Sequence, residues 1–446
     1  MISLLLTLFT MVNWSSGYTI LHLADFHLDV DYSIHGDPSK MCHDVNSTTN
    51  ETLGTFGDYM CDAPKPLVQH AIDEARRIVP NPDVIVWTGD NVPHIDGYGF
   101  EYVFNAVNIT STLLFSRFPN IPILPTFGNH DYAPANAFTK ESTLYQMTWD
   151  LWNPYVPQEN KERFLKGGYY KIQLFNTTFL VLNTNFANKA YDTFTDKEDP
   201  AGQFAFMEAE LLKAEQCRNR IGDNCTTTVN IVAHIAPGVF ERTPNFPWFR
   251  PEYNKKFLNL TIRYAGSIGA MLFGHHHTDT FHVVKDQAGT PIKTLWMTPS
   301  VTPWYSTLPG AGANNPTFRT FELDRSQNIE DFTTYFVNLT DLNNNSTTKF
   351  QKLYSFKEAY GVLGDITPTS VAKIIEQMKS NETVFSKYIE FNNAGYDGTL
   401  PVGEFRKNQL CSLEWVDYTK MEECMKNSAT STIPIFSLLA ILLNQA

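Results

Sequence analysis

The sequence is short of positive charge and of cysteine, and each shortage narrows the range of functions. Its 446 residues contain 34 Lys and Arg against 47 Asp and Glu, a formal net charge of -13. A nucleic-acid-binding surface needs excess positive charge to match the phosphate backbone, so a nucleic-acid duplex is not an expected partner. No internal repeat or long low-complexity segment stands out, and the length with 43% hydrophobic residues predicts a large core and more than one domain.

Cysteine is scarce, and no pair has the CxxC spacing typical of a zinc–thiolate site. The count is even, which favours disulfides in a secretory protein, whereas free buried thiols would suit a cytosolic one. Several connectivities are possible. Pairing of nearest neighbours closes short loops and is the predicted pattern: Cys42–Cys61, Cys217–Cys225 and Cys411–Cys424.

Both ends of the chain carry short apolar runs. Residues 1–17 are predicted to be a secretory signal, although no Lys or Arg precedes the run; a buried strand or helix is the alternative. The run Ile433–Leu443 is too short to span a bilayer, which needs roughly 20 residues. It follows the small residues Asn427, Ser428 and Ala429 and resembles a glycosylphosphatidylinositol (GPI) attachment signal over 427–446. The alternative is a secreted chain whose tail packs or frays.

Asn-x-Ser/Thr sequons are dense, as in a glycosylated secretory protein. We therefore expect a secreted or GPI-anchored protein at the cell surface, which we take to be a monomer. The predicted glycosylation sites are Asn46, Asn50, Asn108, Asn176, Asn224, Asn259, Asn338, Asn345 and Asn381, and Asn344 also begins a sequon.

Six short apolar runs end abruptly in polar clusters, as buried parallel strands do. They are YTILHLADFH, DVIVWTGDN, IPILPTFGNHD, TTFLVLNTN, TVNIVAHIAP and GAMLFGHHH. Amphipathic helical segments such as PLVQHAIDEARRIV and QFAFMEAELLKAEQC lie between them, so the pattern predicts an α/β domain over residues 18–330. After the polar linker DLNNNSTTKF, residues 331–426 are predicted to form a smaller helical region packed on the first.

The polar clusters predict a two-metal site, because ligands in such sheets collect beyond the carboxyl ends of strands. Asp-x-His and His-x-His place alternate side chains on one side of the sheet. Asp90 can bridge two cations, and imidazoles with an amide oxygen suit Zn²⁺ better than Ca²⁺. Two cations about 3.5–4 Å apart can hold a hydroxide between them and clamp a phosphoryl group for in-line attack. In order, the clusters carry Asp25 and His27; Asp90 and His94; Asn129, His130 and Asp131; His234; and His275, His276 and His277.

This ordered set resembles the calcineurin-like metallophosphoesterase superfamily. Within it, LADFHLDVDY, WTGDNVPH, GNHDYAPAN, LNTN, FGHHHTD and TPSVTPWYSTLPGAGANNPTFR look like the acid sphingomyelinase-like phosphodiesterases, and the resemblance runs from residue 18 to the last cysteine pair. It implies a four-layer α/β/β/α sandwich with a small C-terminal helical region. No saposin-like domain is expected ahead of the first strand. The short chain and its possible lipid-anchor tail look most like the membrane-anchored branch of the family.

The resemblance also implies roles at matching positions. Asp131 is expected to hold a histidine in its tautomer, and His276 to be structural or exposed. His22, His35, His43, His70 and His282 are interpreted as ordinary surface or core histidines. One metal would take Asp25, His27 and His277, the other Asn129, His234 and His275, with Asp90 shared, while His94 and His130 share protonation of the leaving oxygen and neutralisation of phosphate charge.

The expected activity is hydrolysis of phosphodiester or nucleotide phosphoanhydride bonds by a zinc pair and its bridging hydroxide. Purple acid phosphatases place an iron-binding tyrosine where this chain has Pro93, which favours a redox-inert pair. The substrate would carry a choline-phosphate or nucleotide end, as in a small nucleotide or a lipid headgroup. Trp304 and Tyr305 either stack on it or pack their own loop. A non-catalytic membrane lipid or receptor modulator and a phosphomonoesterase remain alternatives.

Overall fold

The computed structural model describes residues 17–44, 52–188, 198–220 and 225–427. Three predicted features lie outside these ranges: most of the signal segment, the sequons at Asn46, Asn50 and Asn224, and nearly all of the proposed anchor signal. The strands are β1 (Tyr18–Leu23), β2 (Leu28–Asp29), β3 (Ala63–Pro64), β4 (Val84–Trp87), β5 (Ile123–Pro125), β6 (Tyr170–Leu174), β7 (Thr177–Leu182), β8 (Val229–Ala233), β9 (Ile268–Phe273), β10 (Thr280–Lys285), β11 (Pro291–Met297), β12 (Thr317–Leu323), β13 (Ile329–Phe336) and β14 (Gln351–Ser355).

The strands form two six-stranded sheets and one short β2–β3 pair. The first sheet has the order β14-β13-β12-β1-β4-β5, with β1, β4 and β5 parallel. The second has the order β10-β11-β9-β8-β7-β6, with β7, β8 and β9 parallel. The predicted polar clusters follow β1, β4, β5, β7, β8 and β9, so the carboxyl ends of these strands meet at one edge of each sheet. β11 is also parallel to β9 but ends in no such cluster.

Helices cover the outer faces of both sheets. The α-helices of the described residues are α1 (Lys65–Ile78), α2 (Phe100–Arg117), α3 (Thr143–Trp152), α4 (Lys161–Gly167), α5 (Gln203–Arg218), α6 (Pro251–Arg263), α7 (Leu339–Asn344), α8 (Phe356–Tyr360), α9 (Pro368–Ser380), α10 (Glu382–Asn392), α11 (Gly403–Glu414) and α12 (Tyr418–Asn427). No helix among these is long and apolar enough to cross a membrane.

Successive side chains of a strand lie on opposite faces of its sheet, and this alternation explains the layers. In β8, Val232 belongs to the core between the sheets, whereas its neighbours Ile231 and Ala233 face the core under α5 and α6. On the first sheet, α1 packs against α2 and against β12. The predicted four-layer α/β/β/α sandwich is therefore confirmed.

The C-terminal region is joined to the first sheet. β13 runs across position 330 and pairs with β14, so the sheet extends into the segment predicted to be helical. The predicted polar linker, residues 341–350, begins within α7. Beyond it, α9 packs on β10 and β11, and α11 packs on β10.

All three predicted cysteine pairs are joined in the structure: Cys42–Cys61, Cys217–Cys225 and Cys411–Cys424. The third links α11 to α12. Among the described sequons, Asn176, Asn259, Asn345 and Asn381 are exposed, whereas Asn108 and Asn338 are half-buried. Glycosylation itself stays a prediction.

A fully buried ion pair ties the two sheets together. Arg319 on β12 pairs with Asp279, which lies just before β10. The Arg319 Nε donates to Thr334 Oγ1 at 3.1 Å, and Asp279 accepts from Thr334 and from Tyr354, each at 2.7 Å. Every charged group of the pair therefore has a partner.

Substituting Arg319→Met leaves the Asp279 carboxylate buried without its cation. We expect the free energy of unfolding to fall by about 3–5 kcal/mol, measured by urea denaturation. The double variant Arg319→Met/Asp279→Leu removes both charges and should recover part of that loss. A loss below about 1 kcal/mol in the single variant would contradict a structural role for the pair.

Candidate metal centre

The predicted ligands lie on the loops that leave the parallel strands. Asp25 and His27 follow β1, Asp90 follows β4, and Asn129 follows β5, all in the first sheet. His234 follows β8, and His275 and His277 follow β9, in the second. The structure brings these residues into two groups: Asp25, His27, Asp90 and His277 in one, and Asp90, His234 and His275 in the other.

The backbone at this edge is strained. Five predicted ligands adopt positive φ: Asp25 (53°), His27 (42°), Asp90 (55°), His275 (70°) and His277 (61°). Such a conformation costs a non-glycine residue on the order of 1–3 kcal/mol and concentrates at functional sites. Gly128 allows the close approach, because a Cβ there would lie 2.1 Å from Asp90 Oδ1.

Asp90 occupies the junction of the two groups. Its Oδ2 lies 3.3 Å from His27 Nε2 and 3.1 Å from His234 Nε2. Its Oδ1 accepts the backbone N–H of His130 at 2.7 Å. Burial would raise the pKa of Asp90, but His234 and His27 outweigh burial and hold it well below its usual range.

Backbone carbonyls fix the tautomers of two histidines. His27 Nδ1 lies 2.7 Å from the Val92 carbonyl, and His234 Nδ1 lies 2.8 Å from the Thr88 carbonyl. Since a carbonyl only accepts, each Nδ1 carries the proton, and each neutral ring turns its Nε2 lone pair to the centre.

Other acceptors crowd the same space. His27 Nε2 is 3.1 Å from His277 Nε2, and His234 Nε2 is 2.9 Å from Asn129 Oδ1 and 3.2 Å from His275 Nδ1. Acceptor lone pairs at these separations repel each other unless positive charge lies between them. The donor set of imidazole, carboxylate and amide oxygen therefore fits divalent metal ions of the borderline class.

The titration behaviour of the site reflects the same demand for cations. Burial lowers the pKa of His27, but the Asp90 carboxylate outweighs burial and raises it to about 9. Burial raises the pKa of Asp25 to about 7, with a further contribution from Asp90. Without a metal, protons take up the positive charge that these carboxylates attract.

Asp131 does not play the role that the sequence predicted. Its carboxylate bonds no histidine among the described residues. It accepts the backbone N–H groups of Asp90, Asn91 and Gly128 at 2.9, 2.7 and 2.8 Å. Asp131 therefore braces the two loops that carry Asp90 and Asn129, and it orients ligands through the backbone.

His94 and His130 lie together beside the centre, with ring centroids 4.3 Å apart. His94 stacks on His27 on one side, and its centroid is 3.6 Å from that of Trp304. Its backbone N–H donates to Asp62 at 2.6 Å, and its Nδ1 lies 3.1 Å from both Asp62 oxygens. Nothing in the sequence pattern indicated Asp62, which follows Cys61 without any strand-end cluster.

A cavity of about 700 Å³ opens over these residues. Trp304 lines it as well as stacking on His94, so it is both a packing residue and part of the wall, whereas Tyr305 is 39% exposed and lines a neighbouring cavity. The cavity is also lined by aromatic and amide side chains for which the sequence predicted no individual role: Asn136, Asn188, Phe240, Asn245, Phe246, Trp248 and Asn314.

His276 is buried, not exposed, and its Nδ1 lies 2.7 Å from Glu241 Oε2. His282 is buried beside the same carboxylate, at 4.0 Å. His22 is also buried, between Thr88 and Thr298, whereas His35 is exposed.

Comparison with known proteins identifies the family. A model described as calcineurin-like phosphoesterase matches residues 18–279, and one described as the acid sphingomyelin phosphodiesterase C-terminal region matches residues 290–431. The human acid sphingomyelinase-like phosphodiesterase 3b is 34% identical, over 99% of this chain and 98% of its own length. The chain belongs to the acid sphingomyelinase-like phosphodiesterases. Its membership confirms the resemblance, the metallophosphoesterase fold and the enzyme class, a metal-dependent phosphodiester hydrolase.

Two more distant members of this phosphodiesterase family have names that point to different substrates. The human cyclic GMP-AMP phosphodiesterase SMPDL3A is 29% identical, over 91% of this chain and 89% of that protein. The sphingomyelinase phosphodiesterase C of Dictyostelium discoideum is 28% identical, over 91% of this chain and 92% of that protein. The fold implies a divalent metal, while zinc as the ion, two as the count and the individual ligands stay predictions.

Replacing Asp90 by Ala removes the one carboxylate common to both ligand groups. We expect the affinity for divalent metal to fall by more than the roughly 10- to 100-fold that loss of an outer partner costs. Elemental analysis after dialysis measures the bound metal. The exposed His35→Ala variant is the control and should retain wild-type content; full metal occupancy in Asp90→Ala would refute the shared role.

Proposed function

We propose that the protein is a secreted or cell-surface dinuclear zinc phosphodiesterase that hydrolyses phosphodiester or nucleotide phosphoanhydride bonds. The observation that carries the proposal is the pair of ligand groups that share Asp90 at the base of a cavity. A single metal would leave one of these groups of facing lone pairs uncompensated.

In this proposal, Asp25, His27 and His277 would hold one metal, Asn129, His234 and His275 would hold the other, and Asp90 would be a ligand of both. When bound, the pair activates a water molecule and neutralises charge on the phosphoryl group. The chain itself supplies a rigid frame, because the backbone carbonyls of Thr88 and Val92 fix the inner histidines.

His94 is the better positioned proton donor. Asp62 accepts from its backbone and engages its Nδ1, and Trp304 stacks on the ring, so the Nε2 side is the one free to meet the leaving oxygen. An anionic substrate favours the protonated ring, and the Asp62 carboxylate keeps the ring oriented. His130, in contact with His94, would neutralise charge that builds on the phosphate.

The cavity wall supports a substrate with a flat or cationic end group. Trp248 lies with its ring centroid 4.1 Å from that of His275, and Phe246 lies 4.9 Å from Trp248. These rings can stack on a base or contact a choline group. The names of the relatives support both a nucleotide and a lipid headgroup.

The three disulfides support passage through the secretory pathway. A signal at residues 1–17, N-glycans on the exposed sequons and a GPI anchor added near residue 427 complete the proposed location. We propose that the protein acts there as a monomer.

Purified protein should hydrolyse bis(p-nitrophenyl) phosphate, and a chelator should abolish the activity, because the ligand groups cannot activate water without metal. Zn²⁺ added back should restore it. A phosphomonoesterase would instead prefer p-nitrophenyl phosphate in the same assay. Diester hydrolysis that survives complete metal removal would refute the mechanism.

The His94→Asn variant should lose about 10²- to 10⁴-fold in kcat on the diester, as expected when a general acid is removed. Asp62→Asn should lose less, because His94 remains but is held less firmly. Both variants should keep wild-type metal content, which separates proton transfer from metal binding. Wild-type kcat in His94→Asn would exclude it as the donor.

A further inference from the structure

Arg242 stands on the wall between two cavities. One is the cavity over the metal centre, and the other, of about 490 Å³, lies beside the C-terminal helices. The second cavity is partly lined by Tyr305, Ile389, Tyr396 and Phe405. Among the residues that line the two cavities, Arg242 is the one Arg or Lys.

The Arg242 side chain is a buried cation without a carboxylate partner. The residue is only 9% exposed, and buried charges are normally paired. Arg319, also buried, follows that rule through Asp279. Within the described part of the chain, no carboxylate lies within ion-pair distance of Arg242.

The nearest acidic groups are committed elsewhere. Glu241 accepts from Thr278 and from Asn392 and bonds His276, while His276 and other partners outweigh its burial and lower its pKa to about 2. Asp397 accepts the backbone N–H of Thr399 at 2.8 Å. Both carboxylates favour the charged form of Arg242 from beyond ion-pair distance, so neither serves as a direct counter-ion.

Neutral acceptors hold the guanidinium in place. Its Nε donates to Asn392 Oδ1 at 2.8 Å, and its Nη1 donates to the Ala311 carbonyl. Within the described residues, Nη2 has no hydrogen-bond partner. It is nevertheless not one of the polar side-chain atoms that are both fully buried and unpaired. Nη2 therefore keeps some accessible surface, and Arg242 lines both cavities.

We infer that Arg242 forms a second anion subsite, which binds a phosphoryl group next to the one that reacts. A planar guanidinium fixed on two sides and open on the third matches phosphate oxygens. The inference rests on the proposed function and narrows it: the preferred substrate has a pyrophosphate or a second phosphodiester, as in nucleotides. A quaternary ammonium at this place would be repelled by the charge.

The test compares two thymidine substrates. One is p-nitrophenyl thymidine 5′-monophosphate, and the other is its homologue with a pyrophosphate bridge. We expect Arg242→Gln to lower the ratio of kcat/KM, pyrophosphate over monophosphate, by about 10- to 100-fold, as befits loss of a charge-assisted contact. Arg242→Lys should recover part of the ratio. With p-nitrophenyl phosphorylcholine, Arg242→Gln should lose no more than with the monophosphate.

Binding of inorganic anions tests the subsite even if a variant has no measurable turnover. In calorimetry on the metal-loaded protein, Arg242→Gln should bind inorganic pyrophosphate at least about 10-fold more weakly, with a smaller change for inorganic phosphate. Arg263→Gln removes an exposed guanidinium and should match wild type in both measurements. An unchanged ratio with unchanged pyrophosphate binding, or equal losses on both thymidine substrates, would overturn the subsite. Failure of wild type to cleave any diester would instead refute the proposed function.

Discussion

The metal centre depends on one electrostatic constraint, which is the convergence of lone pairs on Asp90 from two sides. Backbone carbonyls accept hydrogen bonds from the Nδ1–H groups of His27 and His234. The Nε2 atoms of both rings therefore face the same carboxylate oxygen of Asp90. Positive charge at that point turns a repulsive arrangement into an attractive one. The free energy released by metal binding therefore adds to the stability of this edge of the fold.

The strained loops are held by contacts that do not need the metal. Asp131 collects three backbone N–H groups and joins the turn after β4 to the turn after β5. The N–H of His275 donates to Asp25 Oδ1 at 3.0 Å, which links the second sheet to the first. These bonds fix the positions of the ligands before any ion arrives, and preorganisation of this kind reduces the ordering that binding must cause.

Much of the fold and of the candidate site could be predicted from sequence, because both follow from local rules. A buried strand has a recognisable apolar run, and parallel strands bring their carboxyl ends together, so Asp90 and Asn129 could be predicted to meet. Asp62 and Arg242 could not be found in this way, since their roles arise from contacts across 32 and 150 positions of the chain. The partners of Asp131 were predicted wrongly for a related reason: spacing does not reveal which backbone groups a turn leaves unpaired.

Asn392 shows that the region after residue 330 also helps to position residues of the site. This residue ends α10, in the region predicted to be a helical appendage, and is fully buried. Its amide group contacts Glu241, Arg242 and the Asp279 carbonyl, which lies two residues after His277. The C-terminal helices therefore position both a loop with metal ligands and the one fixed cation of the cavity wall. The loops after the strands supply the groups for reaction at phosphorus. The C-terminal region positions the residue that selects the rest of the substrate, beyond the reacting phosphoryl group.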